Sequence, residues 1–280
     1  MLQGAAINAE EYFIKTMAQS SRAIGDDGAL IGSYVYSKDL FFEGVHFNRE
    51  WMSLYEIARK AMLVNISDAV AMNAVPKYAL IGIAMPKSMS LCQMQELTQG
   101  LHDAAKQFNI EIIGGDTVAN LKLDISVTII SRTDRALERR GLKRGDYLAF
   151  TGELGRSAKE LRYLLSGGRL HRNAKFTNIT LRQHFIAQAA PSLHAGMDIS
   201  DGLFYDLEKI LHKNRLGVRF LAKIPPRIAC SGEEYEMLVA FPPNKRRKLQ
   251  RLAQKNRVAL TIFAQSRRGT FTNRCRAHHF

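Results

Sequence analysis

Cysteine is scarce in this chain. Cys92, Cys230 and Cys275 are odd in number, widely separated and without CxxC spacing. That excludes a structural zinc site and a disulfide framework, and it predicts three reduced thiols. Long hydrophobic runs are missing too. The longest, Tyr78 to Met85, is less than half of a membrane span. The opening residues, MLQGAAINAEEYF, carry acids where a secretion signal places its basic region. A soluble, cytoplasmic protein is the expectation. No GxxxxGK[ST] phosphate loop, kinase HRD or DFG set, or GxSxG nucleophile elbow occurs.

What is present is an ordinary globular balance, with 46% hydrophobic and 24% charged residues. The 280 residues leave room for about two domains. Lys and Arg number 40 against 26 Asp and Glu, a formal charge of +14. Such a field attracts anions: nucleic acid, anionic lipid, nucleotides and phosphate esters. From Pro242 to Phe280 there are eleven Lys and Arg and no acid. No zinc finger, RNA-recognition signature or aromatic-interleaved basic stripe accompanies them, so they read first as a solvated helix face.

Strand and helix patterns alternate. Strands are expected at Ser33–Ser37, Leu40–Phe47, Tyr78–Met85, Ile110–Ile113, where Gly114-Gly115 ends it, and Leu123–Ser131. Helical spacing marks Leu54–Met72 and Leu91–Phe108. The polar run Thr133–Arg144 reads as a connection between domains. Beyond it, strands are expected at Tyr147–Thr151, Val218–Ala222, Glu236–Phe241 and Ala259–Ala264. Helices are expected at Ser157–Leu165, Gly202–His212 and Lys245–Lys255. The fold class is α/β or α+β.

The scarce acids cluster at turns. Asp26 and Asp27 lie between glycines, and Asp39 follows a strand. Asp68 lies in NISDAVAM, Asp116 follows Gly114-Gly115, and Asp198 and Asp201 precede Gly202. One Asp beside Gly is a turn former or helix cap. Several that converge cannot all stay ionised without cations, because two charges at about 4 Å repel by roughly 4 kcal/mol at an effective dielectric near 20. Oxygen ligands without a His/Cys cluster favour Mg²⁺, which takes its remaining ligands from phosphate and water.

Seven stretches, in order, resemble the thiamine-monophosphate kinase family, in the superfamily of aminoimidazole ribonucleotide synthetase. They are IGDDGAL (24–30), SKDLFFEGVHF (37–47), VNISDAVAMNAVP (64–76), IIGGDTV (112–118), RGLKRGDYLAFTGELG (140–155), MDISDGL (197–203) and SGEEYEML (231–238). The resemblance implies ATP- and Mg²⁺-dependent phosphorylation of thiamine monophosphate to thiamine diphosphate by direct in-line transfer. It implies a two-domain fold: an N-terminal ATP- and Mg²⁺-binding sheet domain that dimerises (1–133) and a C-terminal α/β domain (134–280). By motif position, Asp27, Asp39, Asp68, Asp116, Asp198 and Asp201 would bind metal, with Ser37 assisting. Gly115, Asp116, Arg139 and Ser200 would hold ATP, and His46 and Glu233 the thiamine substrate. The acceptor phosphate is already ionised near neutral pH, so no general base is assigned. A homodimer is implied, and neither a membrane nor a nucleic-acid partner is expected.

The chain departs from the family pattern in places. Lys38 stands where Thr or Ser is usual beside the metal-binding Asp39, Asn73 replaces a Gly, Glu234 replaces an Asp, and Ala277 replaces an aromatic residue. Two other readings compete. One is a sister ATP-dependent synthetase, but no Cys precedes Cys92 and no DGVGTK stretch occurs. The other is a basic nucleic-acid binder, which a salt titration would reveal.

Overall fold

The computed structural model describes residues 9–21, 23–171 and 173–275. After a short helix, α1 (Ala9–Met17), the first half builds one sheet. Its elements are β1 (Ala29–Ile31), β2 (Tyr34–Phe42), α2 (Leu54–Ala71), β3 (Val75–Pro86), α3 (Leu91–Phe108), β4 (Glu111–Asn120) and β5 (Asp124–Arg132). The strands lie in the order β1-β2-β5-β3-β4. Only β3 and β4 are parallel, joined by α3 as a crossover helix. The second half contains β6 (Tyr147–Thr151), α4 (Arg156–Leu165), α5 (Gln183–Ala189), β7 (Ala195–Ile199), α6 (Leu203–Lys213), β8 (Gly217–Phe220), α7 (Pro226–Ala229), β9 (Glu236–Phe241), α8 (Arg246–Lys255) and β10 (Leu260–Arg267). Its strands form an antiparallel sheet in the order β7-β9-β6-β10-β8. The mixed α/β architecture with two sheets matches the expected fold class.

Helix α2 joins the halves. Ser53 caps it: its hydroxyl accepts from Glu56 N, and Glu56 Oε2 accepts in return from Ser53 N at 2.9 Å. At the other end Asn73 takes φ 53°, the left-handed conformation that ends helices and that Asn tolerates nearly as Gly does. This accounts for Asn where the family pattern has Gly. Between these ends 14 of 18 residues are buried, so the helix lies enclosed rather than on the surface. One core cluster unites its Ile57, Met62 and Ile66 with Ile125 and Ile129 of the first sheet and Met237 and Val239 of the second.

Several expectations need correction. Strand β2 is one continuous strand, because all nine of its residues pair with β5. Strand β4 does not stop at Gly114-Gly115. It runs on to Asn120, because pairing with β3 supplies the hydrogen bonds that local propensity does not predict. Gly115 is required there: at φ 157°, a Cβ would sit 1.7 Å from Ile81 O. Helix α5 and strand β7 lie where no element was expected, the strand in the motif containing Asp198. The three-thiol expectation also fails, since Cys230 and Cys275 form a disulfide with Cα atoms 5.4 Å apart. Folding brings together residues 45 apart, which spacing alone does not reveal. Cys92 is exposed and free. Ala277 lies outside the described residues. Among the described residues no helix is long and apolar enough to cross a membrane.

Candidate active site

Four aspartates from four separate elements meet at the seam between the sheets. Asp27 lies in the loop before β1, Asp39 on β2, Asp68 near the end of α2 and Asp198 on β7. One oxygen each of Asp27, Asp68 and Asp198 lies within 4.8 Å of the others. Burial, then the charges of Asp39, Asp198 and Asp27, push Asp68 well above the usual carboxylate range. Burial and Asp27 do the same to Asp198, against a 2.7 Å hydrogen bond donated by Ser67 to its Oδ2. Asp27 Oδ2 is buried and accepts no hydrogen bond. A buried carboxylate oxygen without a donor is costly unless a cation meets it. The all-oxygen donor set therefore fits a hard divalent ion such as Mg²⁺.

Cations already present compensate part of this charge. Arg139 places its Nε 3.1 Å from Asp27 Oδ1, with Nη2 also on that oxygen, while its backbone N donates to Asp26 Oδ1 at 2.7 Å. Burial works against the Arg139 cation, but the carboxylates of Asp27 and, behind it, Asp206 and Asp198 together outweigh it and the guanidinium pKa is raised. Lys213 Nζ, on α6, donates to Gly25 O at 2.8 Å and to Asp26 Oδ2 at 3.2 Å, tying the acidic loop to the second half. Arg139 thus serves the acidic loop in this structure.

The remaining candidates spread around this centre. Asp201 is outside the triad. Its backbone N donates to Asp206 Oδ2 at 3.1 Å, and Lys209 bridges the carboxylates of Asp201 and Asp206. Burial raises Asp206 to about 6, with Lys209 opposing the rise. Ser37 is buried and donates to Asn65 Oδ1 at 2.7 Å, one helical turn before Asp68. Ser200 offers its carbonyl to Glu233 N at 2.6 Å. His46 Nδ1 accepts from Phe42 N at 2.9 Å, and its ring stacks on Phe41. Glu233, at φ 55°, accepts an ion pair from Lys60 at 2.8 Å.

Asp116 is separated from the triad by the sheet itself. In the register, Leu40, Ser126, Gly82 and Asp116 form one row across β2, β5, β3 and β4. The next row, Phe41, Ile125, Ile83 and Thr117, faces the core, so Asp116 belongs to the open face. Lys38 is on that face too, with Nζ 2.5 Å from Ser126 Oγ. Lys38 therefore points away from Asp39 and the acidic centre. Glu234 is also explained. It is buried, and its Oε1 accepts from Gly155 N at 2.7 Å and Ser157 N at 3.3 Å, so it caps the start of α4.

Motif reading missed Ser67, Asp206, Lys209, Lys213 and Lys60. Asp206 and Lys209 had a local signal, an acid and a base one turn apart next to MDISDGL. Lys60 and Lys213 had none, because their partners are 173 and 187 residues away.

Comparison with known proteins agrees with this picture. The family profile described as "AIR synthase related protein, N-terminal domain" matches residues 25–133. A thiamine-monophosphate kinase of Leptospira interrogans is 30% identical over 234 residues, covering 74% of this chain and 75% of the relative. Its counterpart in Rhodopirellula baltica is 33% identical over 216 residues, covering 72% and 65%. The solved structure of AaThiL complexed with AMPPCP and TMP superposes with a TM-score of 0.83 at 25% identity, covering 93% of this chain and 91% of that one. The chain belongs to the thiamine-monophosphate kinase family.

Proposed function

We propose that this protein transfers the γ-phosphoryl group of ATP to the phosphate of thiamine monophosphate, releasing ADP and thiamine diphosphate. The observation that carries this reading is the convergence of Asp27, Asp68 and Asp198 within 4.8 Å, with a buried Asp27 oxygen lacking a donor. Three carboxylates so placed suit a metal-bound polyphosphate. The AMPPCP and TMP held by the related AaThiL support the same pair of substrates here.

In this reading Asp27, Asp68 and Asp198, with Asp39 beside them, hold Mg²⁺. When bound, the metal neutralises and orients phosphate oxygens, which is most of what phosphoryl transfer needs. The chain's own groups do the rest. Arg139 is a planar donor beside Asp27, able to face a phosphate oxygen as well. Ser200 and Gly115 bring backbone close to the nucleotide, while His46 and Glu233 position the thiamine moiety. The acceptor phosphate attacks as its own ionised oxygen, so no side chain needs to remove a proton.

A homodimer belongs to the same proposal. The open face of the first sheet exposes Tyr34, Tyr36, Leu40, Tyr78, Leu80 and Val118. An apolar patch of this kind is an association surface. Asp116 lies on that face, so two sheets packed face to face would carry it to a nucleotide site shared between subunits. Division into domains at 133/134 follows the gap between β5 and β6. Use of ATP supports a cytoplasmic location.

Incubation with ATP, thiamine monophosphate and graded Mg²⁺, followed by chromatographic separation, tests the reading. Equimolar ADP and thiamine diphosphate are expected, and chelation should abolish both. No diphosphate at any Mg²⁺ level would remove the proposal.

A further inference from the structure

Lys60 is the most enclosed cation among the described residues of this site. It projects from α2 with no solvent exposure, and its ammonium lies 3.6 Å from the centroid of the Phe176 ring and 5.6 Å from that of Phe41. Among the described residues its one carboxylate partner is Glu233, from the loop before β9, whose side chain keeps 14% exposure. Enclosing an ion pair costs several kcal/mol per charge, and an apolar side chain of similar length fills such a space equally well. Stability alone does not call for a lysine here.

The backbone around Glu233 is already committed. Its N donates to Ser200 O at 2.6 Å, and its carbonyl accepts from Ser157 Oγ at 2.7 Å. Only the side chain still needs orienting, and Lys60 holds Oε2, so that among the described residues Oε1 is left for a ligand. His46 stacks on Phe41, which Lys60 also covers, so His46 and Glu233 are linked through Phe41 and Lys60. Lys60 also precedes Asp68 by eight residues on α2, about 12 Å along the helix axis. The pair thus stands beside the phosphate-binding centre, where the organic part of a phosphate ester would lie.

We propose that Lys60 is a positioning residue that locks Glu233 into one orientation toward a cationic ring, making the site selective for a positively charged phosphate monoester. The inference rests on the function proposed above. A carboxylate fixed in advance loses no rotamer freedom on binding. Left unheld, Glu233 is free to turn to water or to the metal centre. An uncharged substrate ring gains nothing from the fixed carboxylate.

The test uses steady-state kinetics on Lys60→Met, Lys60→Arg, Glu233→Gln and the Lys60→Met/Glu233→Gln double variant. The substrates are thiamine monophosphate and a neutral isostere in which the ring nitrogen cation is replaced by carbon. Lys60→Met should raise KM for thiamine monophosphate by about tenfold, the size of one lost charge-assisted contact. KM for ATP should stay within about twofold, and KM for the neutral isostere should change far less than tenfold. Lys60→Arg should recover most of the loss. The double variant should be no worse than Glu233→Gln alone, because the two residues act as one unit. Melting temperatures check folding, and Lys60→Met fills the same space with an apolar chain. Equal losses on cationic and neutral substrates, additive single effects, or kcat and both KM values moving together would each overturn the proposal. Wild-type protein that forms no thiamine diphosphate would instead remove the functional reading, and this inference with it.

Discussion

Replacing Asp68 with Asn should stabilise the metal-free protein while removing its response to Mg²⁺. Asp68, Asp27 and Asp198 bring oxygens within 4.8 Å of one another. At that distance each ionised pair repels by about 3.5 kcal/mol at an effective dielectric near 20. Asp68 takes part in two such pairs, so with both partners ionised its neutralisation relieves about 7 kcal/mol, before the further repulsion from Asp39 is added. Protons retained by Asp68 and Asp198 lower the realised gain, because burial and mutual repulsion already raise both groups well above the usual range. A gain of at least about 1 kcal/mol is therefore expected in chelator at pH 8, and a smaller one at pH 6, where wild type carries fewer of these charges. Asn preserves the shape and leaves Ser67 on Asp198 undisturbed. Urea unfolding followed by circular dichroism, with chelator and with Mg²⁺, measures both effects. Mg²⁺ should stabilise wild type strongly and the variant little, and the variant should lose most turnover. A variant less stable than wild type in chelator, or one that Mg²⁺ stabilises equally, would refute the electrostatic argument.

Two further predictions concern stability. Burial raises Asp206 from 3.8 to about 6 in the folded chain, so its protonated form is favoured by folding. That stabilisation is complete below about pH 4 and is lost as pH rises through about 6, a swing of about 3 kcal/mol. In chelator, Asp206→Asn should gain on wild type by about that amount between pH 4 and 7, and parallel pH profiles would contradict the assignment. The disulfide between Cys230 and Cys275 closes a loop spanning a sequence separation of 45, which restricts the unfolded chain by about 4 kcal/mol. Reductant or Cys275→Ser should lower the melting temperature by roughly 7 °C. Identical melting with and without reductant would mean that the bond is not formed in solution.

Much of the fold was legible because its signals are local. Apolar spacing marked α2 and α3, a basic run marked α8, alternation marked β5, and short apolar runs marked β3, β6 and β9. The aspartates could be singled out because acids beside Gly or small residues at expected strand–helix junctions are uncommon enough to notice together. What misled the reading was also local. Gly114-Gly115 looks like a strand end, yet pairing with β3 carries β4 onward. Cys230 and Cys275 look unrelated until the segment after β10 returns to α7. Asp116 and Asp39 look equivalent as motif acids, but the pleat sends them to opposite faces of one sheet.

Residue order alone was enough for the family, the α/β class and most of the acids that form the charged centre, since each depends on neighbours a few positions apart. Tertiary structure decided which acids share that centre, that Lys38 turns away from it, and that Lys60 reaches Glu233 across 173 residues. The reason is that a carboxylate's chemistry depends on the charges within a few ångströms of it. Here those charges arrive from β2, α2, β7 and α6, whose proximity exists only once both sheets have closed around one buried helix.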